Sequence, residues 1–276
     1  MARRNLLWLA SYPKSGNTWT RVLLANYLFN AKTPVPINQV HRLGIGDSVA
    51  ETYRRAAGGR FDPADIKATL ALRPKVLRGI AANGADVNFV KTHARRGRLA
   101  GVELVPPELT RAAVYILRDP HDMVLSYARH YGGTPEDAVA AMAREDHIVL
   151  GEAGSAVQFV GNWSRHVESW TRTRRFPVVV IRYEDLKADP AAGFARILEL
   201  VGVPVEAERL ERAIRFSSFE EMQRQEAAHG FIERSARAER FFARGESGRG
   251  RRELSPELAR RIAEAHGPVM QEHGYL

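Results

Sequence analysis

The segment Leu6-Leu7-Trp8-Leu9 runs through a tight Lys14-Ser15-Gly16 turn into a helical pattern, and this constrains the fold more than any other feature. A short, continuous apolar run reads as a strand buried on both faces. The predicted helix, 17–30, sets Val22, Leu23, Leu24, Tyr27 and Leu28 on one face. A turn that opens a helix also gathers main-chain N–H groups where the helix dipole favours negative charge. Lys14 adds a full cation there, and Ser15 and Thr18 add hydroxyls. The turn therefore predicts an anion site, although a bare Lys-Ser-Gly also occurs in turns that bind nothing. It is not a Walker A loop, which places its lysine after a second glycine. Here Lys14 and Ser15 precede Gly16.

The same alternation continues along the chain. Strands are predicted at 5–11, 88–91, 112–117 and 178–182, and helices at 17–30, 120–131, 135–144, 156–174, 190–201, 206–216 and 256–272. In helix 156–174, Val157, Val160, Trp163, Val167 and Trp170 recur every three or four residues, and the tryptophans read as core. Strands alternating with helices predict an α/β fold: a single domain with a central parallel β-sheet flanked by helices. The 276 residues suit one domain spanning 1–276. Two stretches break the pattern. Residues 32–62 read as mixed loop. Residues 224–252, rich in arginine and glycine, read as a flexible lid or a solvated loop.

Composition narrows the class of partner. A net charge of +9 favours anionic partners, whether nucleic acid, membrane surface or phosphorylated small molecules. The absence of cysteine excludes disulfides, thiolate nucleophiles and cysteine-based zinc sites. No stretch reads as a signal peptide or a membrane span, and a cytoplasmic location is expected.

Three further strand ends carry chemistry. The run Val114-Tyr115-Ile116-Leu117 ends in Arg118-Asp119-Pro120, and Arg182 follows another predicted strand. Ligands of parallel sheets sit beyond the carboxyl ends of strands. Arginine there suits a bidentate grip on phosphate, or it pairs with a local carboxylate such as Asp119 or Asp122. Asn88-Phe89-Val90-Lys91-Thr92-His93 ends a third strand with a lysine and a histidine. Histidine fits general-base work near neutral pH, though most histidines are structural. Parallel strands would bring His93 to the same sheet edge as the Lys14 turn.

Together these segments resemble the cytosolic-type sulfotransferases, which transfer a sulfuryl group from 3′-phosphoadenosine-5′-phosphosulfate (PAPS), leaving adenosine 3′,5′-bisphosphate (PAP). Tyr12-Pro13-Lys14-Ser15-Gly16-Asn17-Thr18-Trp19 resembles the phosphosulfate-binding loop of that family, which is P-loop-like, with Asn17 where threonine is commoner. Lys91-Thr92-His93 resembles the catalytic Lys-Thr-His, and Arg118 with Ser126 resembles the 3′-phosphate site. Arg182-Tyr183-Glu184-Asp185, Ser217-Ser218-Phe219 and the 241–248 segment match later motifs in the same order. The resemblance implies a bacterial-like member with His93 as general base, Lys14 near the leaving phosphate and Lys91 at the sulfuryl oxygens. It also implies that Ser15, Gly16, Asn17 and Thr18 cradle the 5′-phosphate, and that Arg118, Ser126, Arg244 and Gly245 serve the 3′-phosphate. Trp19 and Phe219 would sandwich adenine, and Tyr183 and Ser217 would touch it or the nearby phosphate. No metal is implied.

Two departures stand out. Ala243 replaces the arginine of the C-terminal Arg-Lys-Gly, and Gly248-Arg249-Gly250 replaces Gly-Asp-Trp. The dimer motif of the animal enzymes is not evident, so oligomeric state stays open. The expected partner is a hydroxylated small molecule, met by residues 32–62, 94–108, 132–155 and the lid, which carry His41, Phe61, His130, Tyr131, His147 and Phe231. A nucleotide kinase would need a Walker A loop and a magnesium-binding carboxylate. A nucleic-acid binder would not need His93, and no nucleic-acid motif is present.

Overall fold

The structure, a computed structural model, describes residues 4–276. Its strands are β1 (Leu6–Ser11), β2 (Gly44–Gly46), β3 (Asn88–Thr92), β4 (Arg98–Leu99), β5 (Val102–Glu103), β6 (Thr110–Leu117), β7 (Ile148–Val149), β8 (Gln158–Phe159) and β9 (Val178–Arg182). Five of them form a parallel sheet in the order β2-β3-β1-β6-β9. The remaining four make two short antiparallel ladders, β4 with β5 and β7 with β8. The chain divides into two compact units, the first made of residues up to Tyr12, Gly44–Tyr115 and Arg144–Val180, the second of Pro13–Leu43, Ile116–Ala143 and Ile181–Leu276.

Unit 1 holds nearly all of the sheet. Every residue of β1 is buried, as its unbroken apolar run requires of a central strand. β1 pairs in parallel with β3, Leu6 opposite Asn88 and Ala10 opposite Thr92, so the carboxyl ends of the two strands lie side by side. Trp8 is fully buried and satisfies its indole N–H on Thr110 Oγ1 at 2.9 Å. Asn5 donates to the carbonyls of Ala81 and Ala85, fixing the start of β1.

Two sequence expectations fail in unit 1. Residues 32–62 are not one loop: in this unit they supply β2, a fifth strand on β3, and a helix, 50–57. A further helix, 66–81, escaped notice because Pro74 and the buried Arg73 spoil its apolar stripe, although Asp65 caps it by accepting from Ala68 N. The predicted helix 156–174 starts only at Trp163 and ends at Thr171. Gln158 and Phe159 instead pair with β7, Gly161 turns the chain at φ 70°, and Asn162 caps the helix by accepting from Arg165 N at 2.7 Å. Val157 and Val160 keep helical spacing while packing from a strand-like segment, so apolar period alone misled.

Unit 2 is helical. In chain order its helices used below are α1 (Asn17–Leu28), α2 (Pro120–Tyr131), α3 (Ala207–Phe216), α4 (Phe219–His229), α5 (Arg249–Glu253) and α6 (Pro256–Glu272). α2 and α6 begin with an acceptor side chain and proline, Asp119-Pro120 and Ser255-Pro256, which satisfies an orphan N–H and fixes φ for the first turn. Its core gathers Val22, Val35, Ile37, Met222, Phe231 and Phe242. The expected 224–252 loop is shorter than the sequence implied, since 224–229 belong to α4 and 249–252 to α5. The connector between them is tied at two places in its second half. Glu226 accepts from the N–H groups of Phe241 and Phe242 at 2.7 and 2.9 Å, and Asp122 accepts from those of Gly248 and Gly250 at 2.7 and 2.6 Å.

Candidate functional site

In unit 2, the turn before α1 has the backbone of an anion cradle. Lys14 has φ 70° and Gly16 has φ 101°, so the chain bends tightly and turns successive N–H groups toward the helix start. A Cβ on Gly16 would fall 2.6 Å from the Tyr183 ring, so only glycine fits there. The Lys14 ammonium lies 3.8 Å above the Phe241 ring. Ser15 Oγ is buried against Met123 Sδ at 3.5 Å. Asn17 Oδ1 accepts from Arg21 Nε at 3.1 Å, and Thr18 Oγ1 accepts from Arg21 Nη2 at 3.1 Å. Glu233 of the connector closes this group with an ion pair to Arg21 at 2.6 Å.

Arg118 joins the turn to the connector. It donates to the Lys14 carbonyl at 3.1 Å and the Glu246 carbonyl at 3.0 Å, and it lies 4.3 Å over the Tyr183 ring. It does not pair with Asp119 or Asp122, the local carboxylates that sequence offered. Asp119 accepts from His121 and Arg251, and Asp122 holds the connector. Arg118 is only 9% exposed, and its Nε makes no hydrogen bond. Ser126 is half-buried two turns into α2.

Aromatic groups line the same unit. Trp19 donates to the Ser217 carbonyl at 3.0 Å and meets Tyr183 edge-on at 5.7 Å. Tyr183 donates to the Gly245 carbonyl at 3.2 Å, and a Cβ on Gly245 would strike Phe219 at 2.6 Å. The Ser217 hydroxyl is spent on Ala213 O at 2.6 Å, closing α3. Arg244 is exposed, 3.8 Å from Glu253. Arg182 packs on Tyr275 and donates to Gly274, so it serves the C-terminal segment rather than an anion.

Unit 1 holds the Lys91-Thr92-His93 strand end. His93 Nδ1 lies 2.9 Å from the Ser11 carbonyl and 3.2 Å from Ser11 Oγ. A carbonyl only accepts, so Nδ1 carries the proton and the ring's basic lone pair is on Nε2. Thr92 donates to Asp47 Oδ2 at 2.6 Å, and Asp47 N donates to the Lys91 carbonyl at 3.0 Å. Arg73, buried, donates to the same Asp47 carboxylate and to the Leu104 carbonyl. Behind the strand end, His166 Nε2 lies 3.2 Å from the His93 carbonyl and Nδ1 lies 2.9 Å from Tyr115 Oη. Burial pushes the His166 pKa down to about 3, so this ring is neutral: Nε2 donates to the carbonyl and Nδ1 accepts from the tyrosine. Trp170 donates to the Ala94 carbonyl at 3.1 Å. Lys91 is half-buried at the end of β3.

The sulfotransferase domain family matches residues 4–274, nearly the whole chain. The chain belongs to this family. As a sulfotransferase it is 27% identical to cytosolic sulfotransferase 12 of Arabidopsis thaliana, over 92% of this chain and 74% of that one. Its fold is that of mouse sulfotransferase SULT7A1 complexed with PAP, with TM-score 0.61, 21% identity and coverage of 98% of this chain and 86% of that one. Retinol dehydratase in complex with androsterone and PAP gives TM-score 0.66 at 18% identity, covering 97% and 81%. The α/β fold and parallel sheet expected from sequence are those of sulfotransferases.

Sequence reasoning missed the supports of this sulfotransferase's histidine. Asp47, Arg73 and His166 stand far from Lys91 in the chain and belong to no motif, and Tyr115 reads as part of a buried strand. Phe241 was within reach, since it opens the last motif of the family resemblance. Among the described residues, no group of three or more His, Asp or Glu side chains is placed to hold a metal, and no helix is long and apolar enough to cross a membrane.

Proposed function

We propose that this sulfotransferase moves a sulfuryl group from PAPS to a hydroxyl of a small-molecule acceptor, with His93 as general base and a cytoplasmic setting. The observation that carries the base role is the 2.9 Å approach of His93 Nδ1 to the Ser11 carbonyl. It supports the Nδ1–H tautomer, in which Nε2 is the atom that takes the acceptor's proton. Two observations fit unit 2 to the nucleotide. The Lys14–Gly16 turn gathers N–H donors, and the buried Arg118 Nε lacks a bond.

Bound PAPS would supply the activated sulfuryl group, and the acceptor supplies the attacking hydroxyl. Lys14 offsets charge on the leaving phosphate, and Lys91 serves the sulfuryl oxygens. Ser15, Gly16, Asn17 and Thr18 cradle the 5′-phosphate. For Asn17 the acceptor Oδ1 serves Arg21, so its contribution to a phosphate comes from N–H donors. Arg118 and Ser126 hold the 3′-phosphate with the Arg244-Gly245 segment. Trp19 and Phe219 flank adenine, beside Tyr183 and Ser217. For Ser217 the contact is one of packing, since its hydroxyl and N–H close α3 and its carbonyl accepts from Trp19. The 230–248 connector acts as the lid.

The test is transfer from labelled PAPS to a panel of phenols, alcohols and sugars, beside calorimetric titration with PAP and with ATP. PAP should bind in preference to ATP, and Lys14→Ala should weaken it. His93→Ala should slow transfer by about 10²–10⁴-fold, the usual weight of a positioned base, with PAP affinity kept. Transfer at the wild-type rate in His93→Ala removes the base assignment, and a preference for ATP with magnesium removes the donor.

A further inference from the structure

Ala243 leaves the 3′-phosphate grip one guanidinium short of the pattern the family resemblance implies. Unit 2 holds a cation that no contact described above employs. Arg129 lies on α2 three residues after Ser126, a spacing that puts both side chains on one helix face. It is half-buried, and none of the ion pairs or hydrogen bonds found among the described residues involves it. The charged groups that act on it are all arginines. Burial first, then Arg249, Arg118 and Arg244, lower its pKa.

The other three arginines are engaged in different ways. Arg249 is clamped by both oxygens of Glu253 at 2.5 and 2.6 Å. Arg244 is exposed near the same carboxylate. Arg118 binds two main-chain carbonyls and keeps a buried, unbonded Nε. A half-buried guanidinium among like charges is unfavourable by itself and calls for a counter-anion. Arg118, one of the arginines that act on it, has a buried donor that lacks an acceptor. A phosphate dianion meets both needs, and the planar guanidinium grips it bidentately.

We propose that Arg129 takes the place of the arginine missing at 243 and binds the nucleotide 3′-phosphate with Arg118 and Ser126. This rests on the reading that unit 2 takes PAP, and the test separates the two. The full chain is titrated calorimetrically with adenosine 3′,5′-bisphosphate and with adenosine 5′-monophosphate. Wild type prefers the bisphosphate. Arg129→Gln loses about 10-fold or more in bisphosphate affinity, the scale of one charge-assisted hydrogen bond, and binds the monophosphate as before. Adding Ala243→Arg to Arg129→Gln restores the preference. An Arg129→Gln protein that keeps the wild-type preference overturns the assignment. A wild type with no preference overturns the donor reading instead. A second readout avoids any folding defect in the variant: arginine-selective labelling of the wild type, mapped by peptide mass. Bisphosphate should protect Arg129 where monophosphate does not, and equal labelling overturns the proposal.

Discussion

Arg118 in unit 2 and Arg73 in unit 1 are both buried guanidiniums, yet they are finished differently. Arg73 meets the Asp47 carboxylate and the Leu104 carbonyl, inside a network that also fixes Thr92. Arg118 meets two carbonyls and keeps an unbonded Nε. Buried polar groups are normally satisfied, so an exception points to a missing partner. The Arg73 network holds a strand end still. Arg118 keeps hydrogen-bonding capacity in reserve beside other arginines.

The sharpest way to break this comparison is to remove Arg73. Arg73→Ala strands the Asp47 carboxylate in the interior, and losing one partner of a buried pair costs about 3–5 kcal/mol. Urea unfolding should show this loss, and wild-type stability would mean that the network fixes nothing. Arg118→Ala should behave in the opposite way. PAP affinity falls by about 1.5–3 kcal/mol, as for a hydrogen bond to a charged group, while the unfolding midpoint moves less than in Arg73→Ala. Equal PAP affinity in calorimetry would take Arg118 out of the site.

The smallest effect concerns acid. His166 in unit 1 has a folded pKa of about 3, against 6.5 for an ordinary histidine, because burial disfavours the charged ring. Below pH 6.5 the unfolded chain gains a proton that the fold refuses. Stability therefore falls as pH drops from 6.5 toward 3, by at most about 1.4 kcal/mol per pH unit from this group. His266 in unit 2, lowered by burial to about 4, acts in the same sense. Urea unfolding at pH 7 and pH 5.5 measures the slope. His166→Gln should flatten it, and an unchanged slope in that variant would show that His166 is not its source.

The Lys14-Ser15-Gly16 turn, the Arg118-Asp119-Pro120 strand end and the Asp-Pro and Ser-Pro helix starts were legible because their physics is local. A turn, a cap or a buried strand is set by neighbours in the chain. The same locality explains the misreading at 156–174, where valine spacing imitated a helix until Gly161 and Asn162 intervened.

The sequence alone determined the alternating α/β plan and the chemistry available at the strand ends: a lysine turn, an arginine and a histidine. Only the tertiary structure decided which nitrogen of His93 is basic, because that depends on a carbonyl 82 residues away in the chain. It also decided that Asp47 and Arg73 hold Thr92, and that Arg129 stands near three other arginines and makes no ion pair among the described residues. Those outcomes rest on contacts between distant segments, which composition and periodicity do not encode. Hydrogen bonds and charges act over a few ångströms of space, not along the chain.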